Sequence, residues 1–399
     1  MKVLLSALAC EPGKGSEPEV GFRTMLAAAS THDVWVLTLP ESIPAIDRAL
    51  NGDPRASRVR FVGIDFESRG KPLDDLTAAE FHWRYDRWQR EAAVRALQLD
   101  RQIDFDVVHH VTLASYWTRA GVAVVRKPLV WGPIGGGVDP PLRLVGELGL
   151  RGVSEAVARF VGRPLMAMLP PMVRTQRIAA VTFSQNPDTG RRLRGSGPKR
   201  LLSNAFAVEL NGTMDLGPRT ADLLFAGRLL PWKAPLLALR AFRYISHREA
   251  VLRFCGDGPE QARLQRAVEK WGLGGRVRFE GWIPRPRLLS LLGTAGALIH
   301  PAVHEEAGLC IAEALTLGTP VVALDHGGPP EIIGQWRGTP TALVSAKGPE
   351  VTARSMAAAV DGFLMDPPPV RQRPLRGRTS FDAEVLRAYE MAGRPSTIG

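Results

Sequence analysis

Cysteine is scarce in this chain. There are three among 399 residues, Cys10, Cys255 and Cys310, widely spaced and odd in number. That pattern suits neither a disulfide framework nor a zinc site and points to a reducing cytoplasm. Long hydrophobic runs are also missing: crossing a bilayer takes about 20 consecutive apolar residues, and no stretch approaches that. The opening Met1-Lys2 leads into VLLSALAC, which is too short for a secretory leader and meets Glu11 and Pro12 at once, so no signal peptide is expected. Aromatics are 7% of the chain and do not interleave the basic clusters GRRLRGSGPKR at 190–200 and RQRPLRGR at 371–378. This argues against nucleic acid as a partner. Acidic residues are outnumbered 51 to 40, for a net charge of +11. An anionic substrate or an anionic membrane surface would be attracted. The expectation is a cytoplasmic protein, with peripheral contact at the inner face of the membrane left open.

What the chain does have is regular alternation. A length of 399 residues is long for one core and sets a prior of two domains. Short apolar, β-rich runs at 3–7, 34–38, 59–64, 107–110, 129–131 and 180–184 alternate with longer helical stretches. The second half repeats the habit at 223–226, 252–255, 277–279, 297–300, 321–324 and 341–344. Continuous apolar strands alternating with helices predict a doubly wound parallel sheet in each half. The turn signals Asn211-Gly212 and Gly217-Pro218 place the boundary near 205. The predicted domains are 1–205 and 206–377, with a final helix in 378–399 returning to the first and the last residues, 393–399, frayed.

The richest segment is 300–333, HPAVHEEAGLCIAEALTLGTPVVALDHGGPPEII. Glu305 and Glu313 flank Gly308, Leu309 and an apolar helical run. A helix opened by glycine presents backbone N–H groups that suit a diphosphate. Ionised carboxylates on either side accept hydrogen bonds from sugar and ribose hydroxyls. Upstream, Gly227-Arg228-Leu229 follows a strand, and Lys233 comes five residues after Arg228. Two such cations can clamp a diphosphate. Cys255-Gly256-Asp257-Gly258-Pro259 and Phe279-Glu280-Gly281-Trp282-Ile283 also end strands.

In the first half, Gly13 and Gly15 allow a tight turn after the first strand, with Lys14 and Glu17 beside it. His109 and His110 end a strand, where open α/β sheets bind ligands. LVWGPIGGG at 129–137 packs three glycines in a row, Gly135 and Gly136 among them. Asp104-Phe105-Asp106 has a metal-site look but falls at the start of a strand, far from the carboxyl end. Phe81, Tyr85 and Trp88 share a helical face and read as core, with an acceptor platform as the other reading. The stretch 150–177, apolar with scattered arginines, reads either as buried against the first domain or as an amphipathic surface helix.

These motifs, in this order, resemble the retaining glycosyltransferases of family 4 (group 1), which have the GT-B fold. The resemblance covers nearly the whole chain. It implies two Rossmann-like doubly wound domains facing each other across a cleft. It implies transfer of a hexose-type sugar from a UDP- or GDP-linked donor to an acceptor hydroxyl in bacterial glycan, glycolipid or natural-product biosynthesis. The configuration would be retained, with no metal and no cofactor beyond the nucleotide-sugar co-substrate. Carried over residue by residue, Glu305 orients the donor sugar, His109 or His110 contacts it, and Arg228 and Lys233 meet the diphosphate. Gly15, Gly227, Gly256, Gly308, Leu309 and Glu313 line the donor, with Trp282 and Ile283 at the base. Lys14, Glu17, Gly135 and Gly136 lie on the acceptor side, which would take a sugar, a lipid-linked or a small-molecule acceptor. Where the family usually has Gly-Phe-Gly after its first glutamate, this chain has Glu306-Ala307-Gly308, and its histidines read His-His-Val rather than H-x-H. Two other readings stay open: a nucleotide-sugar epimerase on the same fold, and a non-catalytic basic membrane-associated subunit.

Overall fold

A computed structural model describes residues 1–66, 76–207, 216–369 and 377–393. The predicted turn at Asn211-Gly212, most of the basic run at 371–378 and the terminal residues beyond 393 lie outside these. The chain divides into two units, Met1–Gly137 with Arg163–Val208 and Arg378–Gly399, and Val138–Gly162 with Glu209–Gly377.

The first unit holds a seven-stranded parallel sheet. Its strands are β1 (Lys2–Ser6), β2 (Asp33–Thr38), β3 (Val59–Gly63), β4 (Val107–His110), β5 (Leu129–Ile134), β6 (Ala179–Ser184) and β7 (Lys199–Leu201). They lie in the order β3-β2-β1-β4-β5-β6-β7. The second unit holds six parallel strands: β8 (Leu223–Ala226), β9 (Leu252–Cys255), β10 (Val277–Gly281), β11 (Ala297–His300), β12 (Val321–Leu324) and β13 (Thr341–Val344). Their order is β10-β9-β8-β11-β12-β13. Strands such as β4, β8, β11 and β12 are buried at every residue, as helices on both faces require. β7 is the one strand of the first sheet that the apolar pattern does not reveal. It is a three-residue edge, Lys-Arg-Leu, inside a basic cluster, and an edge strand needs no second buried face.

The helices of the first unit are α1 (Ser16–Ala29), α2 (Ile43–Leu50) and α3 (Ala78–Ile103). α4 (Gly149–Ala167) begins in the second unit and ends in the first, and α5 (Pro170–Ile178) and α6 (Pro187–Arg192) follow in the first. Those of the second are α7 (Pro235–Phe242), α8 (Gln261–Lys270), α9 (Arg285–Thr294), α10 (Leu309–Thr316), α11 (Pro329–Gln335) and α12 (Pro349–Met365). α3 starts on a capping box, in which Thr77 and Glu80 each serve the other's backbone N–H. Its Tyr85 and Trp88 are buried in the first core, with Phe81 packed beside them. The last helix, α13 (Gly377–Gly393), contributes Phe381, Val385 and Tyr389, all fully buried, to the first unit.

The expected boundary at 205 needs one correction. Residues 138–162 lie in the middle of the first domain by sequence but pack into the second unit. Leu144 and Leu148 join the core of Leu229, Leu237 and Leu264. Glu147 pairs with Arg240 at 3.0 Å, and its carbonyl accepts from Arg263 at 2.8 Å. The apolar face of this segment is short, and the second unit supplies the surface that removes it from water.

In each sheet the order of connections reverses once, between β1 and β4 and between β8 and β11. Ligands of open α/β sheets bind outside the carboxyl ends of the strands at such a switch point.

Candidate active site

In the second unit, the loops leaving β8 and β11 carry the residues with the most chemistry. β8 is followed by Gly227, whose φ of 140° only glycine adopts readily. Its N–H donates to Cys255 O at 3.0 Å, and Gly256 N–H donates to Gly281 O at 2.8 Å. The carboxyl ends of β8, β9 and β10 are thereby laced together. A Cβ on Gly256 would lie 2.1 Å from Gly227 O, so glycine is required for the approach. This lacing sets Arg228 and Trp282 at the same edge, both exposed. Arg228 makes no ion pair among the described residues. Lys233, five residues on, turns inward.

β11 ends at His300, and the loop after it brings Glu305 back beneath that ring. His300 Nε2 donates to Glu305 Oε2 at 2.9 Å, and Lys233 Nζ donates to the same oxygen at 2.5 Å. Oε1 accepts from Gly308 N–H at 3.1 Å. His300 Nδ1 sits 3.4 Å from Cys310 Sγ. Burial pushes the Glu305 carboxyl up, but the Lys233 ammonium and the His300 ring overcome this and hold it well below the usual carboxylate range. Burial alone would lower His300; Cys310 and Glu305 reverse the sign and push it up to about 9. Lys233 is likewise raised, because Glu305 outweighs the penalty of burial. At neutral pH Glu305 is ionised, and Lys233 and His300 are protonated.

Gly308 caps α10 with φ 71°. The first N–H groups of a helix have no partner inside it, so Leu309 and Cys310 present theirs beside this cluster. The Gly327-Gly328 turn locks the loop from below. Gly328 N–H donates to Glu305 O at 2.9 Å, and a Cβ on Gly327 would lie 2.5 Å from that oxygen. His304 Nδ1 donates to Val138 O and His326 Nε2 to Asp139 O, each at 2.6 Å. On α10, Glu313 is buried and pairs with Arg285 of α9 at 2.9 Å. Ile283 is half-buried next to Trp282.

In the first unit both histidines of the strand end are held within the fold. His109 is fully buried, with Nδ1 2.8 Å from the Tyr389 hydroxyl and Nε2 2.8 Å from Gly132 O. His110 is also buried, with Nε2 3.2 Å from the Tyr85 hydroxyl and Nδ1 3.3 Å from Ser6 Oγ. Burial pushes their pKa values down to about 4 and about 3, so both are neutral at physiological pH. Both ring nitrogens of each histidine have partners inside the unit. Position at a strand end says where the backbone stops, not where the ring points.

Other first-unit residues divide between structure and surface. Gly15 caps α1 at φ 66°, and Gly13 N–H donates to Glu19 at 2.7 Å. Glu17, held raised by burial, accepts from Leu113 N–H at 2.8 Å and Asn204 at 2.9 Å. Lys14 is exposed and pairs with Glu11 at 2.9 Å. Gly135 N–H donates to Ala114 O at 2.9 Å, and Gly136 O accepts from Arg163 at 2.9 Å. The glycine run therefore packs closely against 114–117. Asp106 accepts from Lys2 N–H at 2.7 Å and Asp104 pairs with Lys127, both at the amino end of β4. Among the described residues no group of three or more His, Cys, Asp or Glu is placed to hold a metal ion. No described helix is long and apolar enough to cross a membrane.

Two residues of the cluster, His300 and Cys310, carry no weight in the motif reading. His300 had the same signal as His109 and His110, a histidine ending a parallel strand.

Residues 216–376 match the family described as Glycosyl transferases group 1. The chain is 32% identical over 171 residues to a 2-deoxystreptamine glucosyltransferase of Streptomyces kanamyceticus, covering 42% of each. It is 32% identical over 252 residues to D-inositol 3-phosphate glycosyltransferase 1 of Catenulispora acidiphila, covering 56% of this chain and 57% of that one. The chain thus spans about half the length of these curated relatives. In fold it resembles Anabaena Alr3699/HepE, solved in complex with UDP and glucose, at a TM-score of 0.56 and 16% identity, covering 98% and 94% of the two chains. It also resembles a sucrose-phosphate synthase from Thermosynechococcus elongatus, at a TM-score of 0.58 and 17% identity, covering 98% of each. Residues 216–376 thus resemble a glycosyl transferases group 1 domain, and the two-unit α/β fold is that of the GT-B structures named above.

Proposed function

We propose that this protein is a retaining glycosyltransferase. It moves a hexose-type sugar from a nucleoside diphosphate donor to an acceptor hydroxyl, without a metal ion. The observation that carries the reading is the cluster at the β8/β11 switch point. There Lys233, His300 and Glu305 meet the open N-terminus of α10, with Arg228 exposed nearby. The Lys233–Glu305 ion pair occupies a position that suits a donor diphosphate and sugar. On binding, Lys233 and Arg228 turn to the phosphates, and Glu305 accepts from sugar hydroxyls.

The bond between the anomeric carbon and the diphosphate oxygen breaks, and that oxygen gains charge. Fixed cations and helix N–H groups stabilise developing charge of this kind without reorganising. The acceptor oxygen attacks from the same face, which retains configuration, and its proton passes to the leaving diphosphate. Glu313, through Arg285 or directly, holds the ribose side. UDP is the first donor base to try, since HepE was solved with UDP and glucose. 2-Deoxystreptamine and D-inositol 3-phosphate, named for the relatives, are the first acceptors.

The test is release of nucleoside diphosphate from UDP- and GDP-sugars with and without these acceptors. Acceptor-dependent release together with a glycosylated product supports the reading. Interconversion of the donor sugar with no acceptor present would instead identify an epimerase.

A further inference from the structure

Two side chains at the start of α10 have no part in the donor reading: the Cys310 thiol and the His300 ring that faces it. Cys310 is the second residue of the helix and is half-buried, with its sulfur 3.4 Å from His300 Nδ1. The ring is buried, and its other nitrogen donates to Glu305 Oε2 at 2.9 Å. Carboxylate, imidazole and thiol therefore form a chain. A cysteine nucleophile is activated in this way, with a ring facing the sulfur and a third group orienting the ring.

Burial opposes a charge on His300, yet Cys310 and Glu305 push it up to about 9, so the ring is a cation at neutral pH. The Lys233 ammonium is also close enough to feel the sulfur. A thiol reacts as its thiolate, and a cation or a helix N-terminus beside the sulfur favours that form. Cys310 has both. The other two cysteines are placed differently. Cys10 and Cys255 are buried, and burial pushes both thiols up, Cys255 to about 12.

We propose that Cys310 is a modification site, thiolated by low-molecular-weight disulfides, and that the adduct closes the N-terminus of α10. The Cys310 sulfur attacks one sulfur of the disulfide. A new S–S bond forms as the old one breaks, and the second half leaves as a thiolate. The disulfide is the oxidant, and an excess of free thiol reverses the step. The attached group covers the N–H groups of Leu309 and Cys310. Loss of diphosphate binding on thiolation rests on the donor reading above; thiolation itself does not.

The test treats the full chain with oxidised glutathione and maps the adduct by mass spectrometry. One adduct is expected, at Cys310, absent in Cys310→Ser and removed by dithiothreitol. An adduct at Cys10 or Cys255 of the folded chain, or none at Cys310, overturns the proposal. Reaction rates with Ellman's reagent check the activation. His300→Gln removes one charged hydrogen bond to the sulfur, leaving about ten-fold less thiolate. The greater nucleophilicity of a more basic sulfur returns about three-fold, so Cys310 should react about three-fold more slowly. Equal rates in the two folded proteins overturn the activation by His300. In the thiolated wild type, the thermal shift given by a nucleoside diphosphate should vanish and return with dithiothreitol. In Cys310→Ser that shift should be the same with and without oxidised glutathione. A thiolated wild type that keeps its shift overturns the closing of α10. If the untreated chain responds to no diphosphate, the donor reading fails, and the adduct map and the rates still decide the thiol assignment.

Discussion

His300 Nε2 and Lys233 Nζ donate to the same carboxylate oxygen, Glu305 Oε2, at 2.9 and 2.5 Å. One buried negative charge is shared by two cations from different strand loops, and the β8 and β11 loops are tied through it. The cluster is therefore a structural tie built on paired charge.

Removing the carboxylate charge leaves two buried cations facing each other. Glu305→Gln should destabilise the protein by about 3 kcal/mol, the usual cost of breaking a buried pair from one side. Urea unfolding measures it. A loss below about 1 kcal/mol would mean the pair is solvated and weak.

The histidine gives a pH signature. His300 is raised from an ordinary value near 6.5 to about 9. A raised folded-state value means its contribution is complete below pH 6.5 and is lost as pH rises through about 9. The wild type should therefore lose melting temperature from pH 6.5 to 9 relative to His300→Gln. Parallel curves for the two proteins across that window would contradict the assignment. Glu305, lowered, contributes on the other side: its stabilisation is present above the usual carboxylate range and fades only in stronger acid.

His109 and His110 should behave as core residues. His109→Ala leaves the Tyr389 hydroxyl and Gly132 O without their partner and opens a void, for a loss of about 2–4 kcal/mol. Donor KM should be unchanged in the folded fraction. A normal melting temperature with a large rise in KM would restore the sugar-contact role.

Arg228 should separate binding from stability. Its side chain is exposed, so Arg228→Ala should change stability by no more than about 0.5 kcal/mol. A charged hydrogen bond to phosphate contributes about 1.5–3 kcal/mol, so diphosphate affinity should fall roughly ten- to hundred-fold. Calorimetric titration with the nucleoside diphosphate reads both the affinity and the competence of the variant.

The fold was largely legible because its strands are continuous apolar runs between helices. β4, β8, β9, β11, β12 and β13 fall where the runs predict, and β7 escaped because a short basic edge carries no such run. The glycine loops after β8, β9 and β11 were legible because Gly227, Gly256, Gly308 and the 327–328 turn answer local backbone demands that any reader of sequence can see. The partners of the histidines were not. His109 is satisfied by Tyr389, 280 residues away, and no local pattern announces that. Nor does local pattern show that 138–162 packs on the second unit, since either surface would cover Leu144 and Leu148. Arg285 opposite Glu313 was missed for the same reason: ion-pair partners on different helices meet only in three dimensions.

The most direct measurement is thermal-shift stabilisation by UDP, GDP, TDP and ADP, each with and without EDTA, for the wild type, Arg228→Ala and Lys233→Ala. Ligand that binds only the folded state raises the melting temperature by mass action. The account predicts a clear shift from one diphosphate, unchanged by EDTA and lost in both variants. No shift from any of the four, or a shift that EDTA abolishes, would contradict a metal-free diphosphate site built on Arg228, Lys233 and the N-terminus of α10.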